Sequence, residues 1–246
     1  MKFIFKKILQ QYLKYLAKIT LLIHRPQIIA VAGSINKTFT KDEVCRVLNE
    51  VGLSARSNPR AFNTEIGLSL SILDLSSGYG SYAKWLPVIL RAPLNIFQKN
   101  FPRFLILEFG ISDPGDMKFL LSVVKPHIAI ITDITQRYIE GFDNVEELIG
   151  EYEYLAAHLD KKGLLILNYD NMRVRALAKI SRARATSFGL ENGADWKGEL
   201  GGDNVCQAVK IQGKNKEFKL IRHGMHHVYS ALIGQIIAYV SQKNKV

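Results

Sequence analysis

The sequence predicts an α/β fold: a mostly parallel sheet with helices on both faces, plus a small antiparallel sheet near the C-terminus. Short unbroken apolar runs at 28–33, 104–110, 127–134 and 163–168 read as strands covered on both faces. Helical stretches separate them, which is the rhythm of parallel strands joined by crossovers. From about residue 186 the runs shorten and Gly- and Asn-rich turns intervene. With 246 residues, 48% hydrophobic and 22% charged, the chain has room for one large α/β domain or one domain plus a small appendage.

The elements follow in order. Residues 3–23 mix apolar side chains with lysines at helical spacing, and Phe5, Ile8, Leu9, Tyr12, Leu13, Leu16 and Ile19 or Thr20 fall near one face. Pro26 ends that helix. We divide the chain into this basic amphipathic helix (1–26) and a nucleotide-binding domain (27–246). IIAVAG (28–33) is a buried strand that runs into GSINKTFT and a helix over 41–51. FLILEFG (104–110) is a strand ending in an acid and a glycine. HIAIITDI (127–134) is a strand followed by a helix over 144–159, and GLLILN (163–168) is a further strand. TSFGL, CQAVKIQG and KEFKLIR form the predicted antiparallel sheet, and a helix over 227–240 closes the chain.

The net charge is +11. Lys2, Lys6, Lys7, Lys14, Lys18 and Arg25 crowd the first 25 residues without an acid, and a looser basic cluster spans 173–184. No nucleic-acid-binding signature accompanies either, so no nucleic-acid partner is expected. For the first helix two readings stand: a helix packed on the domain with solvated lysines, or one lying in an anionic membrane surface. No uncharged apolar stretch approaches about 18 residues, so no spanning helix is expected, and the start has no secretory cleavage pattern. Cys45 and Cys206 lie far apart without a metal-ligand spacing and read as reduced thiols. A cytoplasmic protein is expected, free or peripheral at the inner membrane face.

Gly33-Ser34-Ile35-Asn36-Lys37-Thr38, between a strand and a helix, is the strongest local signal. A phosphate loop needs backbone N–H groups at a helix N-terminus, a lysine for the outer phosphates and a hydroxyl for Mg²⁺. Lys37 and Thr38 suit those roles. Asn36 stands where a glycine usually precedes the lysine, and asparagine tolerates a left-handed backbone. The competing reading is a tight turn whose lysine faces solvent.

Further blocks in order make the chain resemble the Mur ligases, nearest the branch that adds D-alanyl-D-alanine. These are FNTEIGLSLSIL (62–73), LILEFGISDPGDMKFLLSVVKPHIAIITDI (105–134), LLILNYDN (164–171) and GMHHVYSAL (224–232). The resemblance covers about residues 28–240. It implies an ATP-dependent carboxylate–amine ligase of peptidoglycan-precursor type that works through an acyl phosphate. It also implies that Gly33, Ser34, Asn36, Lys37 and Thr38 bind ATP, that Lys37 and Glu108 act in catalysis, and that Thr38 and Glu108 hold Mg²⁺. Asn63, Thr64 and Glu65 would line the cleft, Asn168 and Asp170 would lie near adenine and ribose, and His226 would lie near the nucleotide. Thr40 and Lys41 merely continue the loop and helix.

The chain departs from the family pattern at functional positions. Phe39 follows Thr38 in place of a second threonine. Tyr138 aligns with a metal-binding histidine, Tyr152 with a carbamoylated lysine, Asn171 with an acid and Ser230 with an adenine-contacting asparagine. The family's domains for the UDP-sugar substrate and for the incoming amine have no counterpart in this sequence. Two functional readings therefore compete: a ligase completed by a separate chain, and a nucleotide-binding or scaffold module without turnover. A phosphate-loop NTPase of another class is disfavoured by the order of the blocks.

Overall fold

The computed structural model describes residues 3–136, 140–201, 208–211, 214–219 and 224–243. The order is α1 (Phe3–His24), β1 (Gln27–Ala32), α2 (Lys37–Glu50), β2 (Ala55–Ser57), α3 (Glu65–Leu73), α4 (Tyr82–Arg91) and a single 3₁₀ turn (Leu94–Phe97). Then come β3 (Phe104–Glu108), α5 (Asp116–Val123), β4 (Ile128–Ile131), α6 (Val145–His158), β5 (Leu164–Asn168) and α7 (Met172–Ala176). β6 (Arg184–Gly189), β7 (Trp196–Gly201), β8 (Ala208–Ile211), β9 (Lys214–Lys219) and α8 (Met225–Lys243) complete the chain.

The strands lie in the order β2-β3-β1-β4-β5-β6-β7-β8-β9. Pairing is parallel from β2 across to β7 and antiparallel between β7, β8 and β9. The TSFGL segment corrects the expected sheet, to which β2 and β7 add strands that the sequence pattern did not mark. TSFGL pairs parallel to β5, Thr186 opposite Ile166, because α7 and the turn after it carry the chain back across the sheet. The antiparallel strands extend the same sheet at its edge.

Side-chain alternation along each central strand sorts the core into two layers. Ile28, Ala30, Ala32, Leu105, Leu107, Ala129, Ile131, Leu165 and Leu167 face one side, against α3, α5, α6 and α7. Ile29, Val31, Ile106, Ile130 and Ile166 face the other, against Val44 and Leu48 of α2 and Val228, Leu232 and Ile236 of α8. The apolar runs lack alternation because both faces are covered.

A third cluster joins α1 to α3 and α4, through Leu9, Leu13, Leu70, Leu73, Trp85, Val88 and Ile96. α1 is therefore packed on the domain, as one of the two readings expected. Its buried row is Leu9, Leu13, Ala17 and Thr20, whereas Ile8 and Ile19 point outward. Of the pair Ile19 and Thr20 the threonine lies inside, its hydroxyl donating to the Leu16 carbonyl. α4 was hidden in the sequence by Pro87, which sits on its exposed side. There the carbonyl left without a donor faces water, so the helix tolerates the proline. No described helix is long and apolar enough to cross a membrane.

Candidate phosphate-binding site

The loop after β1 turns sharply at the carboxyl edge of the sheet, between β3 and β4. Gly33 has φ 138°, and a Cβ there would collide with the Thr132 hydroxyl beyond β4. That hydroxyl reaches the Ile35 carbonyl at 2.6 Å, and the Ser34 amide donates to the Asp133 carbonyl at 2.7 Å. Asn36 caps α2 with φ 65° and ψ 4°, the left-handed backbone expected for it. The helix starts at Lys37, four residues earlier than the sequence suggested. Its first internal bond runs from the Thr40 amide to the Asn36 carbonyl, 3.1 Å. The amides of Lys37, Thr38 and Phe39 thus have no acceptor within the helix and stand at its positive end, where an anion is favoured.

Lys37 folds back over the loop, its ammonium donating to the carbonyls of Gly33 at 2.7 Å and Ser34 at 3.3 Å. Burial pulls its pKa below the ordinary lysine value, and the Glu108 carboxylate partly restores it. Glu108 ends β3 in register with Val31 of β1 and is buried. Its Oε2 accepts from the Thr38 hydroxyl at 3.0 Å, and its Oε1 accepts from Asn63 Nδ2 at 3.0 Å. Thr38, Asn63 and Glu108, spread over 70 residues of sequence, therefore meet at one point.

Two residues of this cluster lie outside the sequence reading or at its margin. Lys41 is fully buried, donates to the Asn58 carbonyl at 2.7 Å, and stands 3.7 Å from Glu108 Oε2. Asn58 accepts from the Glu108 amide at 2.8 Å through its side-chain oxygen. Asn58 precedes a proline just after the short strand β2, where no pattern marks it. Only the pairing of β2 with β3 brings it under Glu108.

The other expected residues are placed differently. Thr64 is exposed at the start of α3 and its side chain makes no cap bond; Glu65 begins that helix. Asn168 is buried, donates to the Thr132 carbonyl at 2.8 Å and accepts from the Asp170 amide. The Asp170 carboxylate accepts from the amides of Leu190 and Glu191 and from the Tyr229 hydroxyl. Asn168 and Asp170 thus brace the carboxyl end of β5 against the segments around it through bonds within the protein. His226 packs its ring on Phe39 in the first turn of α2, centroids 4.8 Å apart. Ser230 is buried, donates to the His226 carbonyl and touches the Thr40 hydroxyl, joining α8 to α2. Asn171 caps α7 and donates to Asp133, whose pKa burial raises. Tyr152 is buried beside Ser34, and burial pushes its phenol well above the ordinary value. Tyr138 and Cys206 lie outside the described residues; Cys45 is a free thiol.

Comparison with known proteins decides the family. The Mur ligase middle domain profile matches residues 87–238. The chain belongs to the Mur ligase family. It is 26% identical over 215 residues to the UDP-N-acetylmuramoyl-tripeptide--D-alanyl-D-alanine ligase of Mycobacterium bovis, covering 86% of this chain and 38% of that protein. The Synechocystis enzyme of that name is 28% identical over 180 residues, covering 72% of this chain and 34% of that protein. Among solved structures, the MurF ligase of Thermotoga maritima in complex with ADP superposes with a TM-score of 0.75 at 19% identity, covering 95% of this chain and 49% of that one. This Mur ligase chain spans less than half the length of these ligases.

Proposed function

We propose that this chain is the ATP-binding unit of a Mur-type ligase, and that Gly33, Ser34, Asn36, Lys37 and Thr38 cradle the nucleotide's phosphates. The observation that carries the reading is the convergence of Thr38, Glu108 and Asn63 beside the open N-terminus of α2. The oxygens of Thr38 and Glu108 are hard donors at the end of a parallel strand, and so suit Mg²⁺. The Thr38 hydroxyl that now donates to Glu108 would turn its lone pair to the cation. Mg²⁺ there would neutralise charge on the phosphate oxygens.

In this reading a substrate carboxylate oxygen attacks the γ-phosphorus of ATP. The bond from that phosphorus to the β,γ-bridging oxygen breaks, ADP leaves and an acyl phosphate forms. An amine then attacks the acyl carbon, phosphate leaves and the amine gives up a proton. Lys37, released from the loop carbonyls, stabilises charge on the transferring phosphoryl group. Lys41 and Asn58 hold Glu108 in place. Asn63, two residues before α3, lines the cleft towards the carboxylate. Asn168, Asp170 and His226 shape its nucleotide end.

The acid and amine of the relatives, a UDP-N-acetylmuramoyl-tripeptide and D-alanyl-D-alanine, are the first substrates to try. Since the relatives are more than twice as long, the surfaces that hold these substrates come in this reading from further segments or a separate chain. Residues 1–25 add an attachment to an anionic membrane surface. Release of ADP that depends on the tripeptide substrate, in the presence of a domain that binds the amine, and that is lost in Lys37→Ala, is the expected result. ATP binding with no ADP release under those conditions would favour a second reading, a nucleotide-binding module without turnover. That alternative draws on Tyr152, a neutral buried phenol beside the loop where the family resemblance expects an anionic carbamate.

A further inference from the structure

We infer that α1 and α4 together form a face that lies on an anionic lipid surface. The inference extends the attachment of residues 1–25 to a second, independent segment, and it stands whether or not the chain hydrolyses ATP. α4 and the 3₁₀ turn after it run beside α1 in the same direction along its length. Phe5 meets Tyr82 edge to face at 5.1 Å, the Tyr12 hydroxyl donates to the Ile89 carbonyl at 3.0 Å, and His24 reaches the Ile96 carbonyl at 2.8 Å.

Each element buries one row and leaves a large apolar row outside. On α1 the outer row is Ile4, Ile8, Tyr15, Ile19 and Leu22, spaced to fall on one side of the helix. On α4 it is Tyr82, Leu86 and Leu90 at every fourth position, continued by Leu94 and Phe97, with exposures from 51% to 74%. Single exposed apolar residues are ordinary, but two adjoining rows are a contact surface.

The segments that build this face carry charge of one sign, and Asp74, which adjoins the 3₁₀ turn, is paired with Arg56 at 3.0 Å. No Asp or Glu occurs in residues 1–41 or in residues 75–107. The same stretches carry Lys6, Lys7, Lys18 and Arg25 around α1 and Lys84, Arg91 and Lys99 around α4. Beside the C-terminal end of α1, Lys18, Arg25 and Lys125 also line a cleft of about 530 Å³. Apolar rows edged by cations fit acyl chains edged by anionic headgroups. A second copy of the chain docking through this face would set cations against cations, which is repulsive. The helices are too short of apolar length to span, so the surface contact is in-plane.

Flotation of the full chain with vesicles tests this. We expect it to float with phosphatidylcholine–phosphatidylglycerol vesicles and not with phosphatidylcholine alone, and to be released by raised salt. Leu86→Ser/Leu90→Ser and Lys18→Glu/Lys84→Glu should each weaken binding about tenfold or more, with the circular dichroism of the wild type. All these side chains are exposed, so the fold should survive. The proposal is overturned by failure to float with anionic vesicles, or by binding that both variants retain. It is equally overturned by a self-associated chain that Leu86→Ser/Leu90→Ser turns into a monomer without affecting lipid binding, which would give the face to a second copy.

Discussion

Asn36 holds φ 65° at the mouth of the loop, so its identity is a backbone requirement before it is a chemical one. Asn36→Gly should preserve nucleotide binding and stability. Asn36→Val, a β-branched residue forced into a left-handed backbone, should cost about 1–2 kcal/mol in urea unfolding and weaken binding. Glu108 sits under a similar constraint, because Lys41 is fully buried beside it. Removing the carboxylate in Glu108→Ala leaves that cation with less compensation and should cost roughly 3 kcal/mol, while Glu65→Ala should change stability little. Lys37 gives a pH signature. A phosphate binds its charged form, and its pKa in the free protein is lowered by burial. Nucleotide affinity should therefore be full below that pKa and fall as pH rises through it, at a pH below the ordinary value of 10.5. Lys37→Arg should bind without that alkaline loss. At this scale the sequence made Lys37, Thr38 and Glu108 legible because each sits at the end of an apolar strand or the start of a helix. Asn58 and the burial of Lys41 were not legible, since both depend on which strands become neighbours.

Elements with unbroken apolar runs were legible to within a few residues: β1, β3, β4 and β5 all lie where the runs do. The strand at 184–189 was legible as a strand and misassigned in direction, because direction depends on the crossover before it and not on its own side chains. α4 was not read, since an internal proline ordinarily argues against a helix and only its solvent-facing position rescues it. α1 was legible as an amphipathic helix, but its two apolar rows blurred which one is inside. Leu13, wholly buried against Leu70 and Leu73, should cost about 2–5 kcal/mol on replacement by alanine, whereas Ile8→Ala should cost far less. The joint between β1 and β4 carries an acid-sensitive contact. His127 Nδ1 accepts from the Ile28 amide at 3.0 Å, and burial lowers the ring's pKa. Because the folded pKa lies below the unfolded one, the stability tied to neutral His127 is present above about pH 6.5 and is lost as pH falls below it. Denaturation midpoints measured across that window should decline less steeply in His127→Asn, which keeps an acceptor without titrating.

For the whole molecule, the sheet places three separate stretches of sequence at one carboxyl edge: the loop after β1, the end of β3 and the turn after β4. The order of the sequence blocks was enough to anticipate this assembly, because parallel strands joined by crossovers bring such ends together. What the order does not convey is which departures from the family are tolerated, since Tyr152 and Ser230 are settled by packing against Ser34 and Thr40. The central claim is that the Asn36 loop still binds nucleotide phosphates. Calorimetric titration of the chain with ATP and Mg²⁺, beside Lys37→Ala, tests it most directly. The account predicts saturable binding by the wild type, with a Kd on the order of micromolar, that falls by about a hundredfold or more in the variant. Heat indistinguishable from dilution in both proteins, or equal affinity in both, would contradict it.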